Sequence, residues 1–251
     1  MDYLKLYRER MSANGSGVGD SFRKNTHYFQ QTKFTEATTY RRARIYTNAG
    51  TSKMTSVEED IRVIEIDRQG SLRNILFRPL VDYEIGCMIE FDNSQWLAYD
   101  KFGSNVDSIK LRVSRINDTL KWKSKEGVIQ EIPSVTSTSY LGSGSKANDA
   151  GLSYNVFDVR TPVGKILISV ELNEVTETLK LGQRFICGKG VYELEHIDDI
   201  STVDSNYHGV LQLSLKTVIV HPKDDFETGV AYNSIWEDKE EVEKPEEGSG
   251  W

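Results

Sequence analysis

A chain of 251 residues with 38% hydrophobic residues can hold one large or two small domains, and that apolar fraction suits β modules with one wetted face. A formal net charge of −7 argues against a dedicated nucleic-acid binder. No apolar run approaches the roughly 18 residues of a membrane span, and Met1-Asp2-Tyr3-Leu4-Lys5 is not a secretory signal, so a soluble protein made in a reducing cytoplasm, with no membrane partner, is expected.

Residues 1–40 read as an N-terminal helix followed by an extended basic arm. Tyr3, Leu4, Leu6, Tyr7 and Met11 recur at roughly helical spacing, which predicts a short amphipathic helix over 2–11. At that length it cannot stand alone. Residues 12–21, SANGSGVGDS, read as a flexible connector, and no GxxxxGK[ST] pattern accompanies the glycines. Residues 22–39 carry Phe22, Tyr28, Phe29 and Phe34 without a clear period, as an arm laid on a partner surface would. Nine basic residues against four acidic ones between Met1 and Gly50, Arg41 and Arg42 among them, leave this part at about +5.

A first β domain is expected over 41–135. Strands fall at 41–47, 61–67 and 74–79, with turns at Asn48-Ala49-Gly50 and Arg68-Gln69-Gly70. The run IRVIEID also has a helical composition, but its β-branched residues favour the strand. A hairpin at 85–103 follows, then 109–117 with Ile109, Leu111, Val113 and Ile116 facing one way. The segments 120–123 and 127–133 form a further hairpin turning over 124–127. The Ser/Thr/Gly-rich run 134–151 reads as a linker or long loop, placed at 136–151, with Tyr140 and Leu141 projecting.

The second β domain is expected over 152–236, with short strand 156–159, a turn at 161–164 and strand 165–173. A short helix lies within 174–181, and the strand 209–220 alternates Leu211, Leu213 and Leu215 with Gln212, Ser214 and Lys216. Residues 237–251 open with seven acids and only Lys239 and Lys244, an acidic tail expected to be solvated and flexible. The fold class is mainly β: two small antiparallel β-barrel or sandwich modules, an N-terminal helix or extended arm, and a disordered acidic tail.

One stretch is written twice. IGCMIEFDNSQWLAYDKFG at 85–103 and LGQRFICGKGVYELEHIDDI at 181–200 align without a gap at an offset of about 96 residues, placing Gly86 on Gly182, Ile89 on Phe185, Phe91 on Cys187 and Trp96 on Tyr192. Each copy reads as a hairpin with a glycine before its first strand, a polar turn (Asp92-Asn93-Ser94; Gly188-Lys189-Gly190) and an aromatic opening the return strand. Two unrelated hairpins of similar composition are the alternative. Trp96, Trp122, Phe185 and Tyr192 are the expected core anchors.

Chemistry is sparsely signalled. His27, His196, His208 and His221 show no metal-ligand spacing, Cys87 and Cys187 read as buried free thiols, and GxSxG, GxGxxG and Walker patterns are missing from the sequence. Asp198-Asp199 and Asp224-Asp225 read as solvated turn formers. No enzymatic activity, cofactor or metal is expected. The alternative function is an OB-like single-stranded nucleic-acid-binding module stacking bases on Trp96, Tyr99 and Trp122 beside Lys121 and Lys123.

The runs IGCMIEFDNSQWLAYDKF, IKLRVSRINDTLKWKSKEGVIQEIP and KILISVELNEVTETLKLGQRFICGKGVYELEHIDDI resemble the head-closure, or head–tail connector, proteins of tailed bacteriophages and prophages of Gram-positive bacteria. The positions that carry it are Gly86, Trp96-Leu97, Asn117, Leu120-Lys121-Trp122, Gly127, Ile129 and Pro133, then Thr178, Gly182, Arg184-Phe185, Tyr192 and Ile197-Asp198. The resemblance implies a structural protein of the virion neck, assembled in the host cytoplasm as a homo-oligomeric ring. Such a ring would extend the portal channel and retain packaged DNA, with a portal or adaptor protein above, a tail or terminator protein below, and double-stranded DNA passing without sequence recognition. Tyr3, Leu6, Tyr7, Phe22, Tyr28, Phe29, Phe34, Arg41 and Arg42 are then the expected contacts to neighbours.

Overall fold

In the computed structural model the described residues are Tyr3, 17–65, 71–103, 108–137 and 164–236. Six strands with inward apolar alternation close on themselves: β1 Tyr40–Thr47, β2 Thr55–Glu65, β3 Leu72–Phe77, β4 Met88–Phe91, β5 Ser94–Phe102 and β6 Lys110–Arg115, in the order β1-β2-β3-β6-β5-β4. All neighbours are antiparallel. The first barrel's interior is filled by Ile45, Ile61, Ile75, Phe77, Ile89, Trp96, Leu111 and Val113, all essentially inaccessible to solvent. Trp96 stacks on Phe91 at 5.3 Å between ring centroids.

The second sheet runs β10-β11-β12-β9-β8-β7, built from β7 Asp118–Lys123, β8 Ile129–Ser137, β9 Lys165–Glu171, β10 Arg184–Cys187, β11 Gly190–Asp198 and β12 Val210–Val218. Its end strands β7 and β10 lie against each other, and Trp122 meets Phe185 edge-on at 6.0 Å across the interior, so the sheet curls into a second barrel. Leu120, Ile132, Ile168, Leu194 and Leu213 complete a core separate from the first.

Strand pairing moves the expected boundary between the modules. The division placed the hairpin β7–β8 in a first domain ending at 135, but Ser134 and Ser137 register with Val170 and Leu167 of β9, so this hairpin belongs to the second barrel. The chain crosses between barrels at Ile116-Asn117. Residues 136 and 137, expected in the linker, continue β8; 138–151, with Tyr140 and Leu141, lie outside the described residues, as do the strand expected at 156–159 and the tail 237–251. The helix expected within 174–181 is a single 3-10 turn at Thr176–Thr178.

The helix expected over 2–11 lies outside the described residues apart from Tyr3. The arm expected to be extended from residue 22 is a helix, α1 Val18–Thr32, which also takes in the end of the expected connector. Asp20 sits in the first turn, where the helix dipole favours an acid.

The two hairpins read from the repeated stretch are congruent bond for bond. Met88↔Leu97, Ile89↔Trp96 and Phe91↔Ser94 have counterparts Arg184↔Glu193, Phe185↔Tyr192 and Cys187↔Gly190. The Gly86 N–H donates to the Ala98 carbonyl and the Gly182 N–H to that of Leu194, both at 2.8 Å, and each return strand then bulges at the equivalent place, past Ala98 and past Leu194. The turn is two residues rather than the three expected: Asp92-Asn93 has both φ positive, the conformation that matches strand twist.

The barrels are joined through a small core of Leu97, Tyr99, Val135 and Val210, flanked by Leu72, Ile85 and Ile116. At its edge the Glu171 carboxylate, at the end of β9, accepts the N–H groups of Asn48 and Ala49 in the β1–β2 turn at 2.7 and 2.6 Å. The Asn173 carboxamide donates to the Ala49 carbonyl at 3.4 Å. Glu171 is 8% exposed. Burial pushes its carboxyl up to about 7, opposed by the two N–H donors and the Asn173 side chain.

Gly86 and Gly182 share a positive φ (98° and 82°), but a Cβ on Gly86 would meet the Gly209 carbonyl oxygen of the other barrel at 2.3 Å, whereas one on Gly182 meets nothing within 4 Å. Gly182→Ala should cost about 1–2 kcal/mol of backbone strain, and Gly86→Ala at least twice that, in urea unfolding. Equal losses would mean that the barrels do not approach at Gly86. For Glu171, the folded chain holds a proton between pH 4.5 and 7 that the unfolded chain releases, so the group's contribution to stability is complete below about pH 4.5 and is lost as pH rises through 7. Glu171→Gln removes that titration. Its stability relative to the parent should improve by about 3 kcal/mol between pH 4.5 and 7.5, read by urea unfolding at both values; parallel curves would show that the carboxyl titrates normally.

Candidate interaction surfaces

The end of α1 is fastened to the first barrel by two arginines. Arg78 donates to the Gln31 carbonyl at 2.9 Å, and Arg62 donates to those of Lys33 and Phe34 at 2.6 and 2.9 Å, so cations meet the carbonyls left open where the helix ends. The Phe34 ring is buried between both guanidiniums, 4.6 Å from Arg62 and 5.0 Å from Arg78. Behind them Asp60 accepts from Arg78 at 2.6 Å and from the Tyr40 hydroxyl at 2.8 Å. Burial would raise the Asp60 carboxyl, but these bonds outweigh it and hold it below the usual range. The same hydrogen bond raises the Tyr40 phenol.

This geometry divides the expected partner contacts. Phe34 is withdrawn from any neighbour, because the chain's own arginines enclose it. Arg41 pairs with Asp92 at 2.9 Å and Arg42 with Glu58 at 2.8 Å, both at the surface. Phe22 and Tyr28 on α1 are each 69% exposed, and Tyr3 79%. Leu6, Tyr7 and the Phe29 side chain lie outside the described residues. Further apolar side chains stand out at loop tips: Leu80, which also has a positive φ of 71°, Ile200 and Tyr207.

On the second barrel the segment 219–236 forms a strap over the seam where β7 and β10 meet. Arg184, at the start of β10, donates to Asp224 at 2.9 Å and to the carbonyls of Ile219 and Tyr232 at 2.9 and 3.0 Å. Asp224, read from the sequence as a solvated turn former, is instead fully enclosed: burial would raise its carboxyl, but the N–H groups of His221 and Tyr232 together with Arg184 keep it below the usual range. The Asn233 carboxamide accepts from the Arg184 N–H at 2.5 Å and donates to its carbonyl at 3.0 Å, as a neighbouring strand would. Asp225 is the exposed turn former expected, closing on Thr228. Asp198 likewise binds the N–H groups of Ile200 and Ser201.

The base-stacking alternative fails on burial. Trp96, Tyr99 and Trp122 are 2%, 4% and 1% exposed, so none offers a ring face, and Lys121 is paired with Glu131 at 2.8 Å. Trp96, Trp122 and Phe185 sit in the cores, with Tyr192 partly buried against the second. Cys87 and Cys187 are buried and unpaired, and burial raises both thiols, Cys187 to about 12. The joint carboxylate Glu171 and the Arg184–Asp224 pair were missed from the sequence. The only local signal for the first was a charge inside the apolar run of β9. No helix among the described residues is long and apolar enough to cross a membrane.

Residues 118–216 match the family model of the YomX C-terminal domain, a phage-associated family of the Bacillus prophage type, and the match points to a phage protein. The matched range begins with β7 and ends within β12, so it is the second barrel without its strap. No curated protein matches the chain. Among solved structures, MrkH, described as a c-di-GMP-dependent transcription regulatory factor, aligns over 80% of this chain and 86% of its own at 9% identity; its TM-score of 0.22 is too low to bear on fold or function.

Proposed function

We propose that this chain is a structural, non-enzymatic component of a tailed-phage particle. It stands at the neck as a ring of identical subunits that continues the portal channel, retains the packaged DNA and meets the tail. The reading is carried by α1: a helix whose end is pinned to the barrel by Arg62 and Arg78 yet whose Phe22 and Tyr28 stand in solvent. A single copy gains nothing from holding two aromatic rings in water, whereas in a ring each helix can lay them on the next subunit. The phage-associated match on the second barrel supports the setting, and so does the resemblance carried by Trp96-Leu97, Leu120-Lys121-Trp122 and Arg184-Phe185. The net charge of −7 fits a channel through which DNA slides rather than sticks, since phosphate is held by clustered lysine and arginine.

Native mass spectrometry of the purified chain should show one closed oligomer. Phe22→Ser with Tyr28→Ser should raise the concentration at which it dissociates by about tenfold or more, while leaving the unfolding transition of the barrels in place. A stable monomer over the micromolar range, or an unchanged dissociation in the double variant, would overturn the reading.

A further inference from the structure

Beside the strap lies a groove of about 690 Å3. One wall is the β7–β8 turn, with Lys123 and Lys125; the other is the strap, with Lys223 and Asp225; Ile129, Val230, Ala231 and Tyr232 give it an apolar floor. Among the described residues neither Lys123 nor Lys125 is in an ion pair. Two carboxylates lie nearby, Asp225 and Glu126, so the three lysines leave the groove net positive by count. Asp225 accepts from the N–H groups of Glu227 and Thr228 and from the Thr228 hydroxyl, which turns it toward its own loop. The groove therefore presents cationic heads over an apolar floor, chemistry that suits an acidic peptide with an occasional apolar side chain.

We propose that this groove is the docking site of the chain's own acidic segment, residues 237–247. The strap ends at Trp236, three residues beyond Asn233 of the groove wall, so the acids are delivered to its mouth. At about 3.3 Å per residue the first six of them span about 20 Å, enough to run along the groove. Seven acids against two lysines give the segment about −5, opposite in sign to the groove, and Val242 among them can meet the floor. Tethering raises the local concentration of the segment to about the millimolar range, so weak ion pairs suffice to hold it. Docked there, the segment would neutralise the lysines that would otherwise attract passing phosphate. The proposal does not rest on the neck reading.

Zero-length carbodiimide coupling of the full chain, with peptides mapped by mass spectrometry, tests it. Links from Lys123, Lys125 and Lys223 to carboxylates of 237–247 should exceed those from the exposed Lys24, Lys110 and Lys189 by about tenfold, and should fall several-fold between low salt and about 0.5 M. Lys123→Glu with Lys125→Glu should remove the links from Lys223 as well. In a mixture of isotopically light and heavy chains the links should join residues of one copy. Links spread evenly over exposed lysines, or links found only between light and heavy copies, would each overturn it.

Discussion

Two barrels become one body here because a turn of the first lacks partners for its own backbone. The β1–β2 connection bends through Asn48 with φ 56°, which points the N–H groups of Asn48 and Ala49 away from both strands. Buried donors left unmet cost about as much as a lost hydrogen bond each, so the turn is stable only where an acceptor comes to it. Glu171 is that acceptor, carried on the end of β9 at the height where Gly86 lets the Gly209 backbone close in. The apolar joint around Leu97, Tyr99, Val135 and Val210 supplies contact area without direction, and the carboxylate fixes which turn sits on which strand.

The same logic, backbone groups dictating which residues are tolerated, is why the repeated stretch survives comparison at the level of single bonds. Its signal in the sequence was a pair of glycines and a few aromatics, yet register, turn length and bulge all recur at the offset of 96 residues. A glycine at positive φ before the first strand sends its N–H to the return strand, and that bond sets where the hairpin must bulge. A handful of residues specified this geometry, so a weak likeness was sufficient to find it.

What stayed hidden depended on residues far apart in the chain. The β7–β8 hairpin is plain from its own alternation, but which barrel owns it is decided by Ser134 meeting Val170. Asp224 looks like any turn aspartate until Arg184, forty residues earlier, is brought to it. Phe34 reads as an exposed arm aromatic because Arg62 on β2 and Arg78 just past β3, which enclose it, lie far along the chain. The helix α1 is a different case: Val18, Phe22 and Phe29 were spaced for it, and the neighbouring Tyr28 and the glycines before it obscured the period.

The edges decide how such a chain can meet copies of itself. The first barrel is closed through β1 and β4, but the β1–β2 ribbon runs on past the closure: Tyr40–Ala43 pair only with β2, and Thr55–Asp60 only with β1. The second brings its two end strands together and lays the strap over the seam, where Asn233 occupies the N–H and carbonyl of Arg184 that an incoming strand would use. Strand addition, one way for small β domains to assemble, is therefore blocked at Arg184, whereas the β1–β2 ribbon keeps positions with a strand on one side alone. Contact can also pass through side chains, and the exposed apolar ones include Phe22 and Tyr28 of α1, Leu80, Leu181, Ile200, Tyr207 and Ile219. An interface made that way takes its specificity from the shape of a few rings and branched chains rather than from backbone pairing. Barrels of this kind can thus keep their cores while the surfaces they offer to neighbours change one residue at a time.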